Sequence, residues 1–210
     1  MKKTLLIELV KKRDYITLLK VIEVLDVLND IWIQKLMEAH ALVYGEKPRD
    51  TSVDDDDSIY AQYFFNIDYV FNTQDYRHYF TMYMAWLYEI CYLWLFNVGV
   101  DIHRDQNGIY NAFGKLMYLT DLVLWINQIE VEPKVFSTLL ENVTHFKYVR
   151  IRNDYAHTLN PVILPNKVEL ESIHRDLKQI FNHMFPNRIQ TINQRLSAIE
   201  ETLLLMIDQL

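Results

Sequence analysis

The chain has 210 residues, half of them hydrophobic, with only 4 glycines and 5 prolines. That is enough apolar material for a sizeable core and too few turn formers for a β architecture, which spends glycine and proline between short strands. A formal net charge of -7 excludes a protein that coats nucleic acid with its whole surface, and the single Cys91 excludes an intrachain disulfide.

The chain opens Met-Lys-Lys-Thr-Leu-Leu-Ile-Glu, and Glu8 cuts short any signal-peptide core, so a cytoplasmic location is expected. From Leu5 to Val43 apolar residues recur at helical spacing, marked by Leu9, Ile16, Leu19, Ile22, Leu25, Ile31 and Leu36. One or two long helices are expected there, within an N-terminal helical segment over 2–46, with Gly45 and Pro48 as the stop. Residues 49–57 read as a polar acidic loop. Its run Asp54 to Asp57 is solvated rather than a calcium site, which would need spaced carboxylates and a glycine. Ile59 to Phe71 is aromatic-rich and fits either a short helix or an irregular packed segment. Thr73, Gln74 and Asp75 then look like the start of a helix running from Tyr76 to Val98 and ending at Gly99.

Within that helix, Tyr79 to Val100 is long enough to span a bilayer and has Glu89 as its only formally charged side chain. Glu89 near the centre would cost about 3 kcal/mol on insertion, and the tyrosines are scattered rather than gathered at the ends. The segment is therefore expected to be a helix buried on all sides in a bundle, with no membrane involved. A third helix is expected from about Gly108 to Glu130. Pro133 fits the first turn of a fourth, running through Leu139, Val143, Phe146, Val149 and Asn153 to about His157. Asn160-Pro161 and Pro165 break the chain, and a fifth helix covers about Val168 to Phe185. Pro186 opens a C-terminal amphipathic helix over 186–210, where Ile189, Ile192, Leu196, Ile199, Leu203, Met206 and Leu210 repeat in steps of three and four. This heptad seam can pack onto its own bundle or pair with another chain. The whole reads as one all-α helical bundle domain over residues 1–210.

One stretch reverses the sign of the chain's charge. His145 to Arg152 carries Lys147, Arg150 and Arg152 without one acid, a possible anion site and the candidate substrate-binding region. It continues into Arg152-Asn153-Asp154-Tyr155-Ala156-His157. On a helix Asn153 and His157 share a face, and Arg152 stands on the neighbouring flank, from which a long side chain can curl back. The set offers a fixed cation for a phosphate, an amide to orient a neighbour, and an imidazole able to move a proton near neutral pH. Taken singly, each residue has a plainer role: Arg152 and Asp154 in surface ion pairs, Asn153 at a helix end, Tyr148 and Tyr155 in packing, Lys147 and Arg150 in solvent.

Arg-Asn-x-x-x-His near the end of a late helix, in an all-helical chain poor in glycine, resembles the hallmark of the HEPN superfamily, here Arg152, Asn153 and His157. The resemblance covers about residues 73–185 and points to a less typical, bacterial branch. It implies a helical bundle, usually a symmetric homodimer in which two motifs face each other across one composite cleft. It also implies a metal-independent endoribonuclease, often a toxin held by an antitoxin or an antiviral defence effector. Other members have lost catalysis and bind a protein partner or nucleic acid. In the branch controlled by a nucleotidyltransferase antitoxin a tyrosine stands two positions after the histidine; Leu159 stands there in this chain, a departure from that form of control.

Other templates are missing. His40, His78, His103, His145, His174 and His183 are dispersed without a His-x-x-x-His pair, there is no second cysteine for zinc, and no phosphate-binding glycine loop occurs. Cys91 lies in the most apolar run, where a thiol is inert filler. The expectation is thus no metal, no cofactor, and either RNA cleavage by side chains alone or a non-catalytic binding module.

Overall fold

The computed structural model describes residues 2–44, 56–157 and 162–210, apart from the side chains of residues 2, 44, 56–62, 188 and 189. Among the described residues the chain forms, in order, α1 (Lys2–Lys11), α2 (Tyr15–Val24), α3 (Asp30–Tyr44), α4 (Asp56–Asn72) and α5 (Tyr76–Asn97). Then come β1 (Ile102–Asp105), β2 (Gly108–Asn111), β3 (Leu116–Met117), α6 (Leu119–Ile129), α7 (Val135–Val143), α8 (Phe146–His157), α9 (Lys167–Met184) and α10 (Pro186–Asp208). It is an all-α helical fold with one small sheet. The chain divides into two compact units, Met1–Asp75 with Phe185–Leu210, and Tyr76–Met184.

In the first unit α10 packs against α1, α3 and α4. Ile192, Leu196, Ile199 and Leu203 are buried, so the heptad seam is spent on the chain's own helices. In the last turns the buried position is Ile207, while Met206 is half-buried and Leu210 exposed. A straight helix of 3.6 residues per turn drifts off a 3.5 repeat in this way. The N-terminal segment, expected as one or two long helices, is three. It turns at Arg13, which has a positive φ of 58°, and Asp14 caps α2 by accepting a hydrogen bond from the Thr17 amide (3.1 Å). From that turn the Arg13 guanidinium reaches Glu200 (3.0 Å) and Asp68 (3.8 Å), and the Tyr15 hydroxyl donates to Glu200 (2.9 Å). Each of these removed charges has a partner, as burial requires. Of the expected acidic loop 49–57, Asp56 and Asp57 belong to α4, and residues 49–55, like Gly45 and Pro48, lie outside the described residues.

In the second unit α5 packs against α6, α8 and β1, which buries Tyr79, Phe80, Tyr83, Trp86, Leu87 and Ile90. Its one acid, Glu89, is met by Arg104 of β1. Among the described residues no helix is long and apolar enough to cross a membrane.

The helix expected from Gly108 is a correction: residues 102–117 form an antiparallel sheet in the order β1-β2-β3, and the helix begins only at Leu119. Asp105 Oδ1 accepts from the amides of Asn107 (2.7 Å) and Gly108 (3.1 Å), and Asn111 Oδ1 accepts from those of Phe113 and Lys115 (both 3.0 Å). These two side-chain turns, the second completed by Gly114 at φ 73°, fold the strands back. Tyr88 of α5 fastens them, donating to the Met117 carbonyl (2.8 Å) and accepting from the Ile109 amide (3.0 Å).

The helix expected from Pro133 to His157 is likewise two. α7 starts at Val135, where the Glu130 carboxylate accepts from the amides of Phe136 (2.9 Å) and Ser137 (2.7 Å). It ends at Thr144, whose hydroxyl turns back onto the Leu140 carbonyl (2.6 Å). The break changes the phase of the next helix. Leu139 and Val143 are buried as expected, but Phe146, two residues past the break, is exposed.

Candidate functional site

α8 has one face in the core and one in solvent. Tyr148 and Ile151 are buried and Tyr155 is half-buried, whereas Asn153 and His157, four apart, are exposed together in the last two turns. Arg152 stands half-buried on the flank, and its Nη1 donates to Asn153 Oδ1 (2.9 Å). The amide therefore draws the guanidinium toward the face that His157 shares. The last carbonyls of a helix lack partners within it and carry its negative dipole end. At Tyr155 that need is met from α5: Arg77 Nη2 donates to the Tyr155 carbonyl (3.2 Å). Arg77 brings a second guanidinium to the end of α8, and sequence reading missed it because the contact joins residues 78 positions apart. Leu159 and the Asn160-Pro161 break lie outside the described residues.

The two candidate substrate-binding cations are placed differently. Arg150 faces solvent and meets Asp154 one turn on (Nε to Oδ2, 3.8 Å). Lys147 binds Glu169 of α9, whose Oε1 also accepts from the Tyr148 hydroxyl (2.6 Å). The bond to Lys147 holds the Glu169 carboxyl below its usual range, and the bond to Glu169 holds the Lys147 ammonium above its own. Burial, aided by the bond to Glu169, pushes the Tyr148 phenol up to about 12. Lys147 and Tyr148 line a groove of about 490 Å³ with Glu141, Asn142, His145 and Asp176, among others. The groove mixes acids and bases and lies at the opposite end of α8 from His157. The predicted residues are thus dispersed: Arg152 and Asn153 are in contact at the end of α8, His157 is exposed in its last turn, Arg150 faces solvent, and Lys147 sits in the groove.

The remaining candidates are structural. Cys91 is buried and its thiol pushed up by desolvation, as inert filler would be. His174 is buried beside Tyr79, whose hydroxyl lies 3.3 Å from Nδ1. Among the described residues no group of three or more His, Cys, Asp or Glu side chains could hold a metal ion.

No family model, no curated protein and no solved structure matches the chain.

Proposed function

We propose that the exposed end of α8 cleaves RNA without a metal, with Arg152 stabilising charge on the scissile phosphate, His157 moving the proton and Asn153 holding the guanidinium in place. The observation that carries this reading is the 2.9 Å Arg152–Asn153 hydrogen bond on a solvent-facing helix end shared with His157. A cation is held there in the same last two turns as an imidazole, at a helix end where Asn153 and His157 are exposed.

The nucleophile is the substrate's own 2'-hydroxyl. Its oxygen bonds to phosphorus as its proton passes to a base, the bond to the 5'-oxygen breaks, and that oxygen takes up a proton. One imidazole per chain serves one of these transfers at a time, and a homodimer with two motifs across a cleft would supply both. In the cell such an enzyme would act on cytoplasmic RNA as a toxin or a defence effector, restrained by an antitoxin or other protein partner.

The test is incubation of the purified chain with unstructured RNA in excess EDTA, beside a strand of the same sequence lacking 2'-hydroxyls. Products with 2',3'-cyclic phosphate and 5'-hydroxyl ends, and an untouched deoxy strand, are expected. Cutting that requires a divalent metal, or equal cutting of both strands, overturns the mechanism.

One observation favours a second reading, a non-catalytic module. The groove beside α9 carries Glu141, Glu169 and Asp176, with the Lys147 charge already matched by Glu169, which suits a basic segment of a protein partner. Absence of cleavage, with binding of a basic peptide that Asp176→Asn abolishes, would favour this module.

A further inference from the structure

Phe146 is 72% exposed at the first position of α8, although its place in the hydrophobic pattern predicts a core residue. Steps of four, three and four lead from it to Arg150, Asn153 and His157, all exposed, so the four side chains form one stripe along the solvent face. Eleven residues at 1.5 Å each separate ring and imidazole by about 16 Å along the axis.

We propose that this stripe is the track of a single RNA strand, with Phe146 stacking an unpaired base and Arg150 taking a backbone phosphate on the way to the cleavage point. The inference rests on the nuclease reading and adds to it two contact residues and a preference for unpaired RNA.

Three observations select RNA over other occupants. A helix face that docks on a protein, or on a second copy of the chain, presents apolar anchors at successive turns, whereas the turns after Phe146 present Arg, Asn and His. A ring followed one turn on by a cation, here Phe146 and Arg150, matches single-strand binding, where bases stack and phosphates pair. α8 also carries Lys147, Arg150 and Arg152 against Asp154 alone, in a chain of net charge -7.

Arg150 and Lys147 differ in availability. Arg150 is 72% exposed and 3.8 Å from Asp154, a surface pair that a phosphate can replace at little cost. Lys147 is held by Glu169, which also accepts from the Tyr148 hydroxyl, so Arg150 is the predicted phosphate contact of the pair. A base must leave its stack to meet the ring, so duplex RNA should gain nothing from Phe146.

The test measures fluorescence anisotropy of a labelled oligoribonucleotide against the intact chain carrying His157→Ala, so that the strand is not consumed. Added to that background, Phe146→Ala should weaken single-strand binding about tenfold, and Phe146→Trp should hold it within about twofold. Arg150→Ala should flatten the slope of log affinity against log salt by about one, and Lys147→Ala should not. Duplex binding should be insensitive to Phe146. Single-strand affinity unchanged by Phe146→Ala overturns the inference, as does equal loss on duplex. A change from dimer to monomer with RNA affinity intact also overturns it, making the stripe a contact between copies. A protein that cleaves RNA but ignores Phe146 loses only this inference; one that binds through Phe146 without ever cleaving loses only the nuclease reading.

Discussion

Arg13 of the first unit and Arg152 of the second are used in opposite ways. In the first, Arg13 is drawn inward from a strained turn to Glu200 and Asp68, about one-fifth exposed, and the Tyr15 hydroxyl completes its surroundings. In the second, Arg152 lies over a solvent-facing helix end and is steadied by Asn153, a neighbour with no part in the core. A polar group that satisfies a buried partner holds the fold, because removing it strands the partner's charge. A polar group held in place where the core gains nothing is free to serve a ligand. On the proposed function, the contrast separates scaffold from candidate site by physical role.

Changes that break the first unit should give the largest loss of stability. Leu203→Ala removes a fully buried side chain from the seam of α10, and chemical denaturation should show a loss of about 3 kcal/mol. Arg13→Ala leaves Asp68 and Glu200 without their cation, and the same measurement should give about 2 kcal/mol. A smaller effect is expected from Tyr148→Phe, about 1 kcal/mol for one hydrogen bond to a charged acceptor.

That tyrosine also sharpens the comparison through pH. Its folded pKa is raised to about 12, so the stability it contributes is fully present below the ordinary phenol value near 10 and is lost as pH rises toward 12. Alkaline unfolding should consequently lose part of its steepness in Tyr148→Phe. Glu169 has the opposite sign: its lowered pKa contributes stability above the ordinary carboxylate value, lost as pH falls through the lowered one. Lys147 is exposed and Glu169 half-buried, and glutamine keeps an oxygen that can accept from Tyr148, so Glu169→Gln should change acid stability least of all.

How much of this could be read from residues alone depended on how local its cause was. The bounds of α5 and α10 follow from Gly99 and Pro186, which act within their own turns, and the end of α8 from periodicity. The sheet was missed although Asp105 to Gly108 is a turn sequence, because the apolar residues after it also fit a helix and the Tyr88 hydroxyl that fastens the strands comes from α5. The break between α7 and α8 has no proline or glycine to announce it; the Thr144 hydroxyl, turned back onto the Leu140 carbonyl, marks it. For the candidate site, the shared exposed face of Asn153 and His157, with Arg152 on the flank, was readable from helical spacing. Arg77 at the Tyr155 carbonyl and Glu169 on Lys147 were not, since both contacts are made by the fold. Phe146 was misplaced for the same reason as the break, which re-phases the helix just before it.

The most direct measurement is Arg152→Ala and Arg13→Ala side by side, each assayed for melting temperature and for RNA cleavage in EDTA. For Arg152→Ala the account predicts melting within about 2 °C of the parent chain and cleavage reduced by about a hundredfold or more; for Arg13→Ala it predicts melting lowered by several degrees, with cleavage retained below the new transition. A large fall in melting temperature for Arg152→Ala, with cleavage per folded molecule unchanged, would contradict it and return Arg152 to the scaffold.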